Sequence, residues 1–401
     1  MAKAFDGLRV IDLSQVIAGP FCAEQLAFLG ADVIKVESPG SGDQARSMMT
    51  SRAFASKGLS PLFITCNAGK RSMTLDLKHP RATEIVHRLV ASADVMIQNL
   101  KVGTIERMGF GYADMKKVKP DLVYCSISGY GQSGPKAANA AFDGAIQAES
   151  GIMSITGRDD TGPTRAGYMV VDVSTGLMAA FAIAAALYRR KATGEGQFID
   201  VAMMDTALNI MAPIVSNYLM TGDVPALYPT GERTRLASDV AYETKDGYLQ
   251  CTLWTEPHFK ALSTEIGRPE LADDSRFVNM AARAENAWAL RQILMPAFRT
   301  DTAANWESRL GRRGIPASRV ASVPDALATP QSCHRGLTTT LPPPKGLDRP
   351  IQVLKPGYRT DVDPPEPART VPAVGEHTDA ILAEIGYSAA EIAAIRGDGA
   401  V

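Results

Sequence analysis

From residue 8 to residue 126 the chain alternates short apolar β-type runs with helical patterns, and few folds accommodate that alternation. Leu8 to Leu13 reads as a strand, Phe21 to Leu29 as a helix stopped by Gly30, and Asp32 to Glu37 as the next strand. That is a βαβ unit, whose crossover connection requires the two strands to run parallel. Further strands at Met73 to Leu77, Val95 to Gln98 and Leu122 to Ser126, with helices at Pro80 to Ala91 and Ala113 to Val118, extend the pattern. Such an order predicts an α/β fold with a doubly wound, mostly parallel sheet.

Asp172 stands out against this background. It is a lone carboxylate in GYMVVDVSTGLMAAFAIAAALYRRK, where a charge is costly unless it is satisfied or used. Met169 to Val171 read as the end of a buried strand and the Ala- and Leu-rich stretch after Ser174 as a helix, with Asp172 at the seam. There it would accept first-turn N–H groups, feel the helix dipole and stay ionised at pH 7 although largely dry. Such a residue is either a helix cap, whose loss costs ~1 kcal/mol, or a nucleophile toward an activated carbonyl. The segment alone leaves both open.

The rest of the chain narrows the choice. With 401 residues it is long enough for two or three domains. Its 42 Lys+Arg nearly balance 43 Asp+Glu, so no global field marks a nucleic-acid or membrane-surface binder, and an anionic ligand needs a local cluster. Candidates near strand ends are Arg46, Arg52, Lys70, Arg71, Lys101 and Arg107. Cys22, Cys66, Cys125, Cys251 and Cys333 are scattered singly with no CxxC pair, which predicts reduced thiols in a cytoplasmic protein and no metal site. The longest apolar stretch, Gly176 to Tyr188, is too short to span a bilayer. Gly129, Gly131 and Gly134 satisfy G-x-G-x-x-G literally, but Pro135 follows at once and no helix opens there, so a loop over a site is the better reading than a dinucleotide fingerprint.

Pro- and Gly-rich connections divide the chain into a large domain over 1–220, a small α+β domain over 229–320, a linker over 321–350 and a C-terminal segment over 351–401.

Seven ordered blocks then carry a resemblance: VIDLSQVIAGPFCAEQLAFLGADVIKVESPGSGD, NAGKRSMTLDLK, ADVMIQNLKVGTIERMG, SISGYGQSGP, FDGAIQAESGIMSITG, the Asp172 segment and KATGEGQFIDVAMMDTAL. Together they resemble the class III coenzyme A transferases, a family related to the α-methylacyl-CoA racemases. The resemblance implies an interlocked homodimer with a Rossmann-like large domain that the C-terminal segment completes, and a CoA transfer between an acyl-CoA donor, such as succinyl-CoA, and a small carboxylic acid. It implies no permanently bound cofactor, coenzyme A entering as part of the substrate. By position, Asp172 matches the family's nucleophile and Asp143 an acidic residue supporting it. Coenzyme A sites match Val16, Ala18, Lys70 or Arg71 with Leu75, Asn99, Leu100, Arg107, Met108 and Met203. Phe142 stands where the racemases carry a histidine base, which sets the alternative racemase reading behind transfer. Ile17 and Gln15 replace the glutamine and histidine of oxalate-using members, which points away from oxalate. Arg233 and Arg235, on a loop in the comparable region, are candidates to read the far carboxylate of a short dicarboxylic acceptor.

Overall fold

Six strands, all parallel, form the central sheet of the computed structural model, which describes residues 2–48, 54, 56–158, 162–227, 239–253 and 255–401. They are β1 (Arg9–Asp12), β2 (Asp32–Glu37), β3 (Arg71–Thr74), β4 (Val95–Gln98), β5 (Val123–Ser128) and β6 (Gln197–Ala202), in the order β3-β2-β1-β4-β5-β6. Alternate residues face opposite ways and both faces are covered. Ile11, Ile34, Met96 and Tyr124 enter one core, and Val10, Val33, Val95 and Val123 the other. A parallel sheet covered on both faces carries such continuous apolar strands.

The helices of this unit are α1 (Ala18–Phe28), α2 (Pro61–Asn67), α3 (Ala82–Ala91), α4 (Tyr112–Val118), α5 (Asp143–Glu149), α6 (Val170–Thr193) and α7 (Met203–Ile210). Residues of α3 pack into the first core together with residues of two helices from the C-terminal segment, whereas α1 and α6 cover the second face. The sheet, these helices and residues 336–401 form one compact unit.

A second unit comprises residues 151–166 and 217–335. Its antiparallel strands β7 (Asp239–Glu243), β8 (Tyr248–Thr252) and β9 (Ala317–Arg319) lie in the order β9-β8-β7. They pack with α8 (Glu256–Glu265), α9 (Ala287–Phe298) and α10 (Ala303–Arg312) around Tyr242, Phe259, Leu294, Phe298 and Trp306. The segment expected to be a linker over 321–350 is divided. Val323–Ala328 and Pro330–Arg335 are helical and belong to the second unit, while β10 (Thr338–Leu341) pairs with β11 (Ile351–Leu354) in the first. The chain returns with α11 (Thr378–Glu384) and α12 (Ala389–Gly397).

Two expectations about α6 are corrected. No strand precedes Asp172, because the helix already begins at Val170. The β-branched pair Val170 and Val171 reads locally as strand, but a tertiary acceptor for their turn overrides that preference. The helix also runs to Thr193, which makes 24 residues, and an 18-residue stretch within it has a mean hydropathy of 1.9, long and apolar enough by composition to cross a membrane. Here Val171, Thr175, Ala179, Ile183, Ala186 and Leu187 are buried in the protein core, and a core helix meets the same criteria.

Gly176 brings α6 against α1. A Cβ there would stand 2.8 Å from the Ala18 carbonyl oxygen, a backbone atom that cannot swing aside. Gly176→Ala is therefore expected to lower stability by roughly 1–3 kcal/mol, measurable by thermal melting, despite the better helix propensity of alanine.

Candidate active site

The residues that follow the carboxyl ends of β1, β4, β5 and β6 converge on a cleft of about 410 Å³. Gln15 to Ala18 come from the β1–α1 turn, Asn99 to Val102 from the turn after β4, Ile127 to Gly129 from the end of β5, and Met203 from the start of α7. In the strand order the chain reverses direction between β1 and β4, and crevices at that switch point are where open α/β sheets bind ligands.

Asp172 lines this cleft. It is the third residue of α6, and its neighbour Asp143 does the capping it was expected to do itself. One Asp143 oxygen accepts the Val171 and Asp172 N–H groups at 2.8 and 3.0 Å, and the other accepts Nε2 of Gln147 at 2.5 Å. The start of a 24-residue helix is thus satisfied by a buried carboxylate from α5. No hydrogen bond to the Asp172 carboxylate itself occurs among the described residues. Burial, and secondarily the Asp143 charge, push its pKa up to about 7. The expectation of full ionisation at pH 7 is corrected accordingly: the N–H groups that would have favoured the anion are engaged by Asp143.

The remaining predicted residues separate into two groups. Val16, Ala18, Asn99, Leu100 and Met203 all line the cleft. The Asn99 side chain does so while gripping the backbone of Gln15, accepting its N–H and donating to its carbonyl, each at 2.8 Å. Lys101, exposed and also on the cleft wall, supplies a cation there.

Lys70, Arg71 and Leu75 do not reach the cleft. Lys70 is fully buried and its ammonium donates to Asp12 at 2.8 Å, to the Pro20 carbonyl at 2.8 Å and to Asn67 at 2.9 Å, which uses all three protons. Arg71 sits at the amino end of β3, bonded to Asp32 and Glu384. Leu75 is core. Arg46 is likewise spent, forked onto Glu37 at 2.6 and 2.7 Å. Arg107 is exposed beside the short helical turn Thr104–Arg107 and donates to Thr104, and Met108 packs against the core; neither is on the cleft wall. Arg52, Arg233 and Arg235 lie outside the described residues.

The glycine motif is a loop that borders the site. Ser128, Gly129, Ala137 and residues 139–142 contribute to the cleft wall. A Cβ on Gly129 would stand 2.2 Å from that of Ala141, so glycine there lets the loop close on itself. Phe142 lines the cleft with 71% of its surface exposed and offers no proton-transfer group.

A parallel sheet with a cleft at its switch point and an unpartnered carboxylate on the cleft wall is an arrangement in which a nucleophile can meet an activated acyl group. The family model for CoA-transferase family III matches residues 5–378, and the chain belongs to that family. Among its relatives is the succinyl-CoA:glutarate CoA-transferase of Mus musculus, 35% identical over 96% of this chain and 86% of that one. The acetyl-CoA:oxalate CoA-transferase of Acetobacter aceti is 37% identical over 83% of this chain and 85% of its own. A solved CAIB/BAIF family protein from Brucella suis superposes with a TM-score of 0.84 at 35% identity, covering 96% of this chain and all of that one.

Proposed function

We propose that the chain moves coenzyme A from succinyl-CoA to a short dicarboxylic acid of about glutarate size, through covalent intermediates on Asp172. The observation that carries this is the division of labour between two carboxylates, Asp143 holding the helix start and Asp172 left unbonded on the cleft. The Asp172 carboxylate attacks the thioester carbonyl and expels coenzyme A thiolate, leaving a mixed anhydride. The thiolate then attacks the aspartyl carbonyl of that anhydride, releasing succinate and leaving an aspartyl-CoA thioester. The acceptor carboxylate displaces the thiolate again, and its return onto the acceptor carbonyl yields the new CoA ester and frees Asp172. Anhydride and thioester are of similar reactivity, so each step passes the acyl group between near-equal energies if water is excluded.

The mouse relative supports a C5 diacid. Ile17, 5% exposed and apolar, lines the cleft and offers no polar contact to a compact acid such as oxalate. The strand order supports a Rossmann-like description of the first unit. Homodimerisation, which we take to be of the interlocked kind, is supported by an apolar stripe at i, i+4 and i+11 of α6, where Leu177, Phe181 and Tyr188 are 50%, 71% and 81% exposed. The five free cysteines support a reducing, cytoplasmic setting.

Incubation with succinyl-CoA and glutarate, followed by mass spectrometry, tests the reading. It should yield glutaryl-CoA and a coenzyme A adduct on the peptide containing Asp172. Turnover with the adduct on another residue would refute the assignment.

A further inference from the structure

Val16 is the one non-glycine residue among those described with a positive φ, at 70°. It is β-branched, the side-chain type for which that conformation is a genuine outlier. It also lines the cleft, with Gln15, Ile17 and Ala18 beside it. Strain of this sort persists only where the surroundings over-determine it, and here they do so with charge.

The Val16 N–H donates to both oxygens of Asp43, at 3.1 and 3.3 Å. Asp43, 2% exposed, also accepts the Ala45 N–H at 2.8 Å and pairs with Lys35 at 2.8 Å. Lys35 is fully buried and donates to the Ser14 carbonyl at 2.9 Å. One buried ion pair therefore holds the backbone on both sides of Gln15, while Asn99 holds Gln15 itself. Neither Asp43 nor Lys35 lines the cleft. An unstrained turn would need no such arrangement, and a buried ion pair is a poor device for stability alone.

We propose that Asp43, backed by Lys35, is a positioning residue that holds Val16 in the left-handed conformation and thereby sets residues 15–18 for the CoA ester. The proposal rests on the cleft being the CoA-ester site. It needs a carboxylate, because an amide would turn an N–H₂ donor toward one of three donors, namely the two backbone N–H groups and the Lys35 ammonium.

A cycle of Asp43→Asn and Val16→Gly tests it, since glycine adopts a positive φ unaided. The readouts are the Kd for coenzyme A by calorimetry and the KM and kcat for succinyl-CoA. Asp43→Asn alone should raise Kd and KM roughly tenfold with kcat at saturation nearly kept, whereas added to Val16→Gly its effect should fall to about twofold or less. An equal loss in both backgrounds would mean Asp43 acts only through general stability and would overturn the proposal. Should Asp43→Asn not fold, Val16→Gly against Val16→Ala decides by thermal melting. Glycine should melt higher than alanine, and the reverse order removes the strain on which the argument depends. A wild-type protein that fails to bind coenzyme A overturns the reading of the cleft and this proposal with it. Binding with a failed cycle overturns the proposal alone.

Discussion

Asp172→Asn is expected to lower CoA transfer on the order of 10⁴-fold and to abolish the aspartyl-CoA adduct, with CoA-ester binding retained, because the amide keeps the shape of the carboxylate without its nucleophilicity. The pH dependence adds a second signature. With the carboxyl pushed up to about 7 by burial and by Asp143, the attacking anion is a minority form below that pH. The wild-type kcat/KM for succinyl-CoA should therefore rise through a limb near pH 7; a limb near 4 would show that the carboxylate is hydrated. Stability must move the opposite way. The native chain binds a proton between the ordinary value of 3.8 and about 7 that the unfolded chain does not, so folding weakens as pH climbs through that window. Asp172→Asn removes this penalty. Discounted for the partial exposure of the group, the variant should be more stable than wild type by roughly 2 kcal/mol at pH 8 and nearly equal to it at pH 4. Urea unfolding at the two pH values checks both, and an active site that is less stable for being functional is the expected pattern.

Lys70→Met is expected to cost about 3–5 kcal/mol of stability, because it strips a fully buried carboxylate of its nearest counter-charge. Burial alone would raise the pKa of Asp12, but Lys70 and Lys35 hold it below its ordinary value. Lys35 stands 4.0 Å from the same oxygen that Lys70 approaches to 2.8 Å, so the remaining lysine is a weak substitute. The substitution also distinguishes two roles. A Lys70 that bound a phosphate of coenzyme A would, when lost, weaken Kd at unchanged stability. The geometry predicts the reverse, a large shift in the urea midpoint with Kd preserved in the folded protein.

The central strands β2, β1, β4 and β5 were legible because they are short, largely apolar runs between turn residues with both faces covered; β2 and β4 fall on their expected bounds residue for residue, whereas β3 (RSMT) starts two residues earlier than expected and β6 (QFIDVA), with exposed positions alternating along it, was not expected as a strand. The start of α6 was not, since what begins that helix is Asp143, a carboxylate 29 residues earlier in sequence than the Asp172 N–H that it accepts. No local pattern encodes such a partner. The same distinction sorts the site. Asn99, Leu100 and Met203, which the family resemblance singles out, follow directly on strands β4 and β6, and that position brings them to the cleft. Arg71 is the first residue of β3 and turns to Asp32 at the amino end of β2, while Lys70 just before it is spent inside the core on Asp12; basic character near a strand does not say which end is meant, or whether the charge reaches the cleft at all. Val16 shows the limit most plainly. Valine is among the last residues a sequence would suggest for a positive φ, and only the buried pair behind it explains why it is there.

The segment after residue 369 bears on how the protein comes into being. Glu384 pairs with Arg71 across 313 residues, Thr378 accepts the Thr74 N–H, His377 accepts that of Ser72, and Pro372 receives the guanidinium of Arg46. At ribosomal speeds of ~5–20 residues per second, β3 leaves the exit tunnel on the order of 15–60 s before these partners exist. During that interval the β2–β3 edge lacks the apolar cover of Ile381, Leu382, Ile392 and Ile395, and Arg71 has Asp32 but not Glu384. Completion of the β2–β3 edge thus waits for a segment about 300 residues away, a contribution of high contact order, and until that segment is made the edge is open to aggregation.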